Sequence, residues 1–148
     1  MSEVTSYTAA QIVEKISTRG ISPVEVVSAF LGRIDELNPK LNAVVTIAAD
    51  VLDQAKAAEA ALMRGDDLGP LHGVPITIKD TIETAGLRST SGSAVRANFV
   101  PTHDAPAVAR LKAAGAIILG KTNTAEMAMD YTADNPVFGV LLILITRY

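Results

Sequence analysis

Gly69-Pro-Leu-His-Gly-Val-Pro-Ile-Thr-Ile-Lys-Asp80 runs from a turn-rich connector into an apolar strand and delivers one lysine, Lys79, off its end. Successive strand residues point to opposite faces. If Val74, Ile76 and Ile78 meet a core, Thr77 and Lys79 therefore lie on the other side of the pleat. A lysine held half-buried there loses its proton more readily, because desolvation disfavours the ammonium. Such a lysine is a candidate general base for a serine hydroxyl. From spacing alone, a solvated strand-end lysine is the commoner case.

Working outward, Thr8-Ala-Ala-Gln11 reads as a capping box that opens a helix through Ile12, Val13 and Ile16, stopped near Gly20. Ser22-Pro-Val-Glu25 is a second start, with an N-cap serine, proline at the first helical position and glutamate at the third. Val24, Val27, Leu31 and Ile34 recur at helical spacing until Asn38-Pro39, where the run is expected to end. Ala43 to Ile47 reads as a short strand, and an alanine-rich helix runs from about Ala48 to a stop at Gly65. Ile82 to Pro101 carries glycine, serine and threonine without sustained periodicity and is expected to be loop, with room for one short strand. Asp104 is expected to cap a helix through Val108 and Leu111 that ends at Gly115. Ala116 to Leu119 follows as a buried strand, and Thr124 to Met129 as a short helix. Helices alternating with short apolar strands place the chain in the α/β class.

Composition narrows the functions. The 148 residues are one domain's worth of chain, and 49% are hydrophobic, which supplies a core and excludes a disordered polar chain. Net charge is −3 without a basic cluster, and aromatic residues make up 4% with no tryptophan. Neither phosphate backbones nor base-stacking platforms are catered for, so no nucleic acid partner is expected. There is no cysteine, which removes disulfides, thiolate metal sites and a cysteine nucleophile. His72 and His103 lack partners at ligand spacing and read as loop histidines, so no metal is expected. Asp66-Asp67 reads as a solvated turn, not as an acid/base pair. The opening Met-Ser-Glu-Val-Thr-Ser-Tyr has neither a basic nor an apolar leader region, and the longest apolar run, Val140 to Ile145, is too short to span a membrane. A cytoplasmic protein is the expectation.

Gly115-Ala-Ile-Ile-Leu-Gly-Lys-Thr122 matches the phosphate-loop pattern G-x-x-x-x-G-K-[ST] letter for letter. Its setting is wrong for a nucleotide site. A helix and not a strand precedes Gly115, and two adjacent isoleucines resist the positive-φ conformations that a phosphate-cradling nest uses. Helix, capping glycine, buried strand and tight turn is the expected arrangement.

Several stretches taken together resemble the amidase signature family. They are Gly69 to Asp80, Thr84-Ala-Gly, Thr90-Ser-Gly-Ser93, Asp104-Ala-Pro-Ala-Val-Ala-Arg110, Gly115 to Asn123 with Glu126 and Met127, and Asn135-Pro-Val-Phe-Gly139. The likeness extends from about Tyr7 to Gly139. It implies the N-terminal portion of a mixed β-sheet wrapped by helices, incomplete within residues 1–139. It also implies amide C–N bond hydrolysis by a Ser–Ser–Lys triad without metal or organic cofactor, with Lys79 as the lysine. In such a triad the lysine takes a proton through a bridging serine, a second serine attacks the carbonyl, and backbone N–H groups of a Gly/Ser-rich loop hold the oxyanion. The implied substrate is a small-molecule amide. The implied partners are amidotransferase-type subunits or further copies of the chain. Asp80, one residue on, points to the other strand face and takes no catalytic role, while Glu126 is expected to pair structurally with backbone or lysine groups.

Both family serines belong to Gly/Ser-rich motifs that follow the Phe-Gly matched by Phe138-Gly139, and neither motif occurs here. Ser89, Ser91 and Ser93 fall in an earlier family segment and are not substitutes. The chain is therefore expected to be inactive alone. A non-catalytic interaction module that pairs through its two N-terminal helices is the alternative. Residues 140–148, Val-Leu-Leu-Ile-Leu-Ile-Thr-Arg-Tyr, form an apolar tail unlike the polar loop of the family. In one allowed back-translation, restoring one base after the Gly139 codon makes the chain read Gly-Arg-Thr-Leu-Asn-Pro-Tyr-Asn-Pro, which fits the family's Arg-x-x-Asn-Pro-aromatic continuation. The expectation is a single-base deletion after Gly139. Sequencing the coding DNA there checks it: a Gly-Gly-Ser-Ser motif is expected in another frame, and its absence from every frame refutes the deletion.

Overall fold

The computed structural model describes residues 3–142. Among these the chain forms α1 (Ala9–Ser17), α2 (Pro23–Leu41), β1 (Val44–Ile47), α3 (Val51–Arg64), β2 (Pro75–Lys79), α4 (Pro106–Ala113) and β3 (Ile117–Thr122), with short 3-10 turns at Glu3–Ser6, Ala94–Arg96 and Glu126–Ala128. The protein is mixed α/β. The sheet order is β1-β3-β2, with β1 antiparallel and β2 parallel to β3. Parallel neighbours need a crossover, which the 80–105 loop and α4 supply.

Both capping boxes form as the sequence indicates. Thr8 accepts from Gln11 N while Thr8 N donates to the Gln11 side chain at 2.8 Å, and Ser22 and Glu25 make the same reciprocal pair. Helix α2, however, runs through Asn38-Pro39 to Leu41 before Asn42 turns left-handed at φ 53°. Pro39 has no N–H to offer the Asp35 carbonyl, and the helix continues for only two residues beyond it. Asn38 also secures the exit: its Oδ1 accepts from Ala43 N and Val44 N, both at 2.8 Å, and its Nδ2 donates to Val44 O at 2.7 Å. Helix α3 starts at Val51, three residues later than expected, because Ala48 N is taken by Leu119 O at 2.9 Å.

Three further expectations fail. Asp104 does not cap α4, whose N-cap position is Ala105. Its carboxylate instead accepts from Ala85 N at 2.7 Å and from Lys112 Nζ at 2.8 Å, tying the crossover loop to the helix. Nor does the chain turn at Gly120. Strand β3 continues through Gly120-Lys121-Thr122, so the phosphate-loop lookalike is extended backbone with Lys121 wholly buried. The Thr124–Met129 helix is only a 3-10 turn, in which Met127 and Ala128 take φ of 50° and 57°.

The core lies on both sides of β3. Ile117 and Leu119 pack with Val27, Ala48, Val51 and Ala55 of the α2–α3 side, whereas Ile118 packs with Ile78 and Val108 toward α4. A third cluster of Ile12, Ile16, Val26, Leu62 and Val74 joins α1 to the start of β2. Among the described residues, no helix is long and apolar enough to cross a membrane, and no group of three or more His, Cys, Asp or Glu side chains could hold a metal.

Gly120 lets β1 approach β3: a Cβ built there would stand 2.0 Å from Thr46 O, a backbone atom that cannot swing aside. Gly120→Ala is expected to lower unfolding stability by about 2–4 kcal/mol, in the range of overpacked or strained cores, read as a drop in urea midpoint at unchanged slope.

Candidate active site

Strand β2 alternates as its sequence requires: Ile78 is buried, while Thr77 and Lys79 are exposed. The half-buried setting expected for Lys79 is not found, because no described element covers that face. Lys79 sits opposite Thr122 of β3, and the strand ends directly after it. Asp80 N donates to Thr122 O at 3.0 Å, and Ile82 N folds back onto Lys79 O at 2.9 Å, so a tight turn closes immediately beyond the lysine.

The buried charge of this region belongs to Asp80, which the sequence placed on the other strand face without a catalytic role, and to Lys121. Asp80 is 0% exposed. Its Oδ2 accepts from Thr90 Oγ1 at 2.6 Å and from Thr90 N and Gly92 N, both at 3.1 Å. Its Oδ1 is buried without a hydrogen-bond partner among the described residues. Lys121, also 0% exposed, donates to Ile82 O, to Ser89 Oγ at 2.9 Å and to Thr84 Oγ1 at 3.1 Å. Its ammonium thus meets three oxygens of the 82–93 loop. Burial lowers the Lys121 pKa to about 8, against the opposing pull of Asp80, Glu83 and Asp104. Burial of Asp104 pushes its own pKa upward, but the Lys112 hydrogen bond and charge, the Ala85 amide and Lys121 together bring it below the ordinary carboxylate range.

The loop so gathered is strained. Ser91 stands at φ 56°, and Met127, itself left-handed, donates its N–H to Ser91 O at 2.7 Å. Each such non-glycine residue costs about 1–2 kcal/mol and persists only where its surroundings overdetermine it. Here the surroundings are the Asp80 bonds on one side. On the other stands Asn135, whose Nδ2 donates to Asn123 Oδ1 and Thr124 O at 2.7 and 2.8 Å.

Of the other candidate residues, Ser89, Ser91 and Ser93 are all buried, and Ser89 is engaged as an acceptor for Lys121. His72 Nε2 meets Ala58 O at 3.0 Å inside the protein, and His103 contacts Thr102 at the surface. Asp66 pairs with Arg64. Glu126 is exposed; its carbonyl accepts from Met129 N at 3.0 Å, while its carboxylate pairs with none of the lysines or backbone groups among the described residues, contrary to its expected structural role. A signal for Lys121 was present: a lysine directly after Ile-Ile-Leu-Gly, in line with a loop of small hydroxyl residues. Nothing in the spacing said that the two would meet.

Residues 25–141, well over half of the chain, match the profile of the Amidase family. This chain belongs to the amidase family. It is 42% identical over 137 residues to a glutamyl-tRNA(Gln) amidotransferase subunit of Carboxydothermus hydrogenoformans, and 45% identical over 139 residues to the corresponding subunit of Roseiflexus castenholzii. The alignments cover 92% and 93% of this chain but 28% of each relative, so the chain spans under a third of their length. Among solved structures, the native peptide amidase of Stenotrophomonas maltophilia superposes with a TM-score of 0.87 at 29% identity, over 94% of this chain and 30% of that one. A bacterial aryl acylamidase of the amidase signature family superposes at 0.82 and 33% identity, over 90% and 28%. The α/β arrangement seen here is that of amidase-family enzymes.

The lowered Lys121 pKa has a definite consequence for stability. The folded state binds fewer protons than the unfolded chain between pH 8 and the ordinary lysine value of 10.5. The group's contribution is therefore fully present above about pH 10.5 and is lost as pH falls through about 8. Relative to Lys121→Met, the parent chain is expected to gain on the order of 2–3 kcal/mol of unfolding stability over that interval, measured by urea titrations at stepped pH. An unchanged difference between the two proteins would contradict a lowered Lys121 pKa.

Proposed function

We propose that this chain supplies the lysine-bearing part of an amidase-type hydrolase, with Lys79 as the proton acceptor of a Ser–Ser–Lys triad. The observation that carries the reading is the position of Lys79: the last residue of a sheet strand, exposed, with a strained and heavily hydrogen-bonded loop packed beside it. Catalytic groups are commonly held in this way, at strand ends on a rigid frame. Within the full triad a neutral Lys79 withdraws a proton from a bridging serine, which passes the demand to the nucleophilic serine as it adds to the amide carbonyl. The proton then returns to the leaving amine, and water releases the acyl group by the reverse relay.

The exposure of Lys79 fits a base that still awaits its cover. A neighbouring serine segment would exclude water from the amine and favour its neutral form. The 148 residues contain no Gly-Gly-Ser-Ser stretch. The reading therefore assigns no turnover to this chain by itself. The relatives it matches are amidotransferase subunits, which supports an amidotransferase-type assembly as the partner class; the substrate class remains the small-molecule amide that the family resemblance implies.

The purified chain alone is expected to release no ammonia from small primary amides. Joined to the portion of the Carboxydothermus hydrogenoformans relative that follows the counterpart of Gly139, it is expected to gain amide hydrolysis, and Lys79→Met is expected to lower kcat by about a thousandfold or more. Turnover by the joined protein that survives Lys79→Met would refute the assignment of the base.

A further inference from the structure

Lys79 is anchored by very little of its own. Its carbonyl accepts from Ile82 N at 2.9 Å, and the next residue's amide reaches Thr122 O at 3.0 Å. The turn that makes the first of these bonds would be free to open at its far side, were Ile82 O not held. It is held by Lys121 Nζ, which reaches across from β3 and grips Thr84 Oγ1 and Ser89 Oγ as well. In the strand register Lys121 is opposite Ile78, one residue before Lys79. A second buried charge works from the neighbouring position: Asp80 gathers Thr90 and Gly92. The 82–93 loop is thus fastened to the ends of β2 and β3 by one cation and one anion, directly beyond the residue whose placement matters.

From this geometry we propose that Lys121 is a positioning residue for Lys79, a buried ammonium latch that fixes the turn through which Lys79 leaves the sheet. The inference rests on Lys79 being the base of the hydrolase. Burying a lysine is unfavourable unless its donors are all used. Core packing gives no reason for a cation at a fully enclosed position where methionine would fill the same space. What the ammonium adds is directionality: three N–H donors for three oxygens, two of them hydroxyls that donate onward to backbone carbonyls. Thr84 Oγ1 donates to Ile82 O at 3.3 Å, and Ser89 Oγ donates to Leu87 O at 2.9 Å. An apolar side chain would leave those groups without the partner that draws them together. The charges facing Lys121 are Asp80 from the end of β2, Glu83 from the loop, where it pairs with Arg96, and Asp104, which pairs with Lys112 of α4.

The test uses the 148-residue chain and needs no turnover, so it stands apart from the hydrolase reading. Amide hydrogen exchange and 15N relaxation are measured for the parent chain, Lys121→Met, and a control, Val27→Ala, which weakens the α2–α3 side without touching the latch. In Lys121→Met, exchange at Asp80, Ile82, Thr90 and Gly92 is expected to rise at least tenfold more than at the amides of α2, with the Lys79 amide losing order. In Val27→Ala no such selectivity is expected. A uniform rise in both variants, or an unchanged Lys79 amide in Lys121→Met, would overturn the proposal. If Lys121→Met does not fold, Thr84→Val and Thr84→Ser replace it. The valine, which lacks the hydroxyl, is expected to loosen the same amides, and the serine, which keeps it, to leave them protected. Equal behaviour of the two would overturn the proposal as well.

Discussion

Burying the ammonium of Lys121 is the constraint around which this structure is arranged. An isolated charge taken from water into a protein interior costs several kcal/mol even after relaxation, and it is tolerated only when every proton finds an oxygen. Lys121 finds three, all on one loop, so the loop must come to the strand. Asp80, equally buried and one residue past Lys79, demands donors in the same way and takes them from the next part of that loop. An irregular segment with no ladder of its own thereby becomes as determinate as a strand.

The sheet makes that arrangement reachable. Strand β3 lies between β1 and β2, packed on both faces, and Gly120 removes the one side chain that would push β1 away. Because β2 and β3 are parallel, their C-terminal ends emerge together, which sets Lys79 beside Thr122 and brings the loops that follow each strand into contact. The left-handed residues Ser91 and Met127 meet at that seam through a single backbone hydrogen bond. Strain of this kind is concentrated where the chain must present a surface and not merely fill a core.

Much of this was legible in the chain. Both N-terminal capping boxes, the apolar alternation of β2, the capping glycine of α3 and the buried run of β3 are local patterns: the caps close their hydrogen bonds within a few residues, and the strand patterns follow from the two-residue period of side chains. The departures have two sources. Pro39 does not end α2, and the exit is secured only beyond it by the local bonds of Asn38 to Ala43 and Val44. Asp104 does not cap α4 because Ala85 and Lys112 compete for its oxygens. Gly120 is no turn because it serves the neighbouring strand. In the last two cases a partner outside the local turn prevailed over the local one.

The same division holds at the site. The order and spacing of the motifs in the sequence were enough to assign the family, and it was that resemblance that pointed to Lys79; strand periodicity decided only which face its side chain takes. Which lysine is buried, which carboxylate is enclosed, and that Ser89 and Thr84 serve Lys121 were decided only by tertiary structure. These contacts join residues more than thirty positions apart. Periodicity reaches only to the next turn of chain, whereas the energy of a buried charge depends on every oxygen that folding brings within about three ångströms of it.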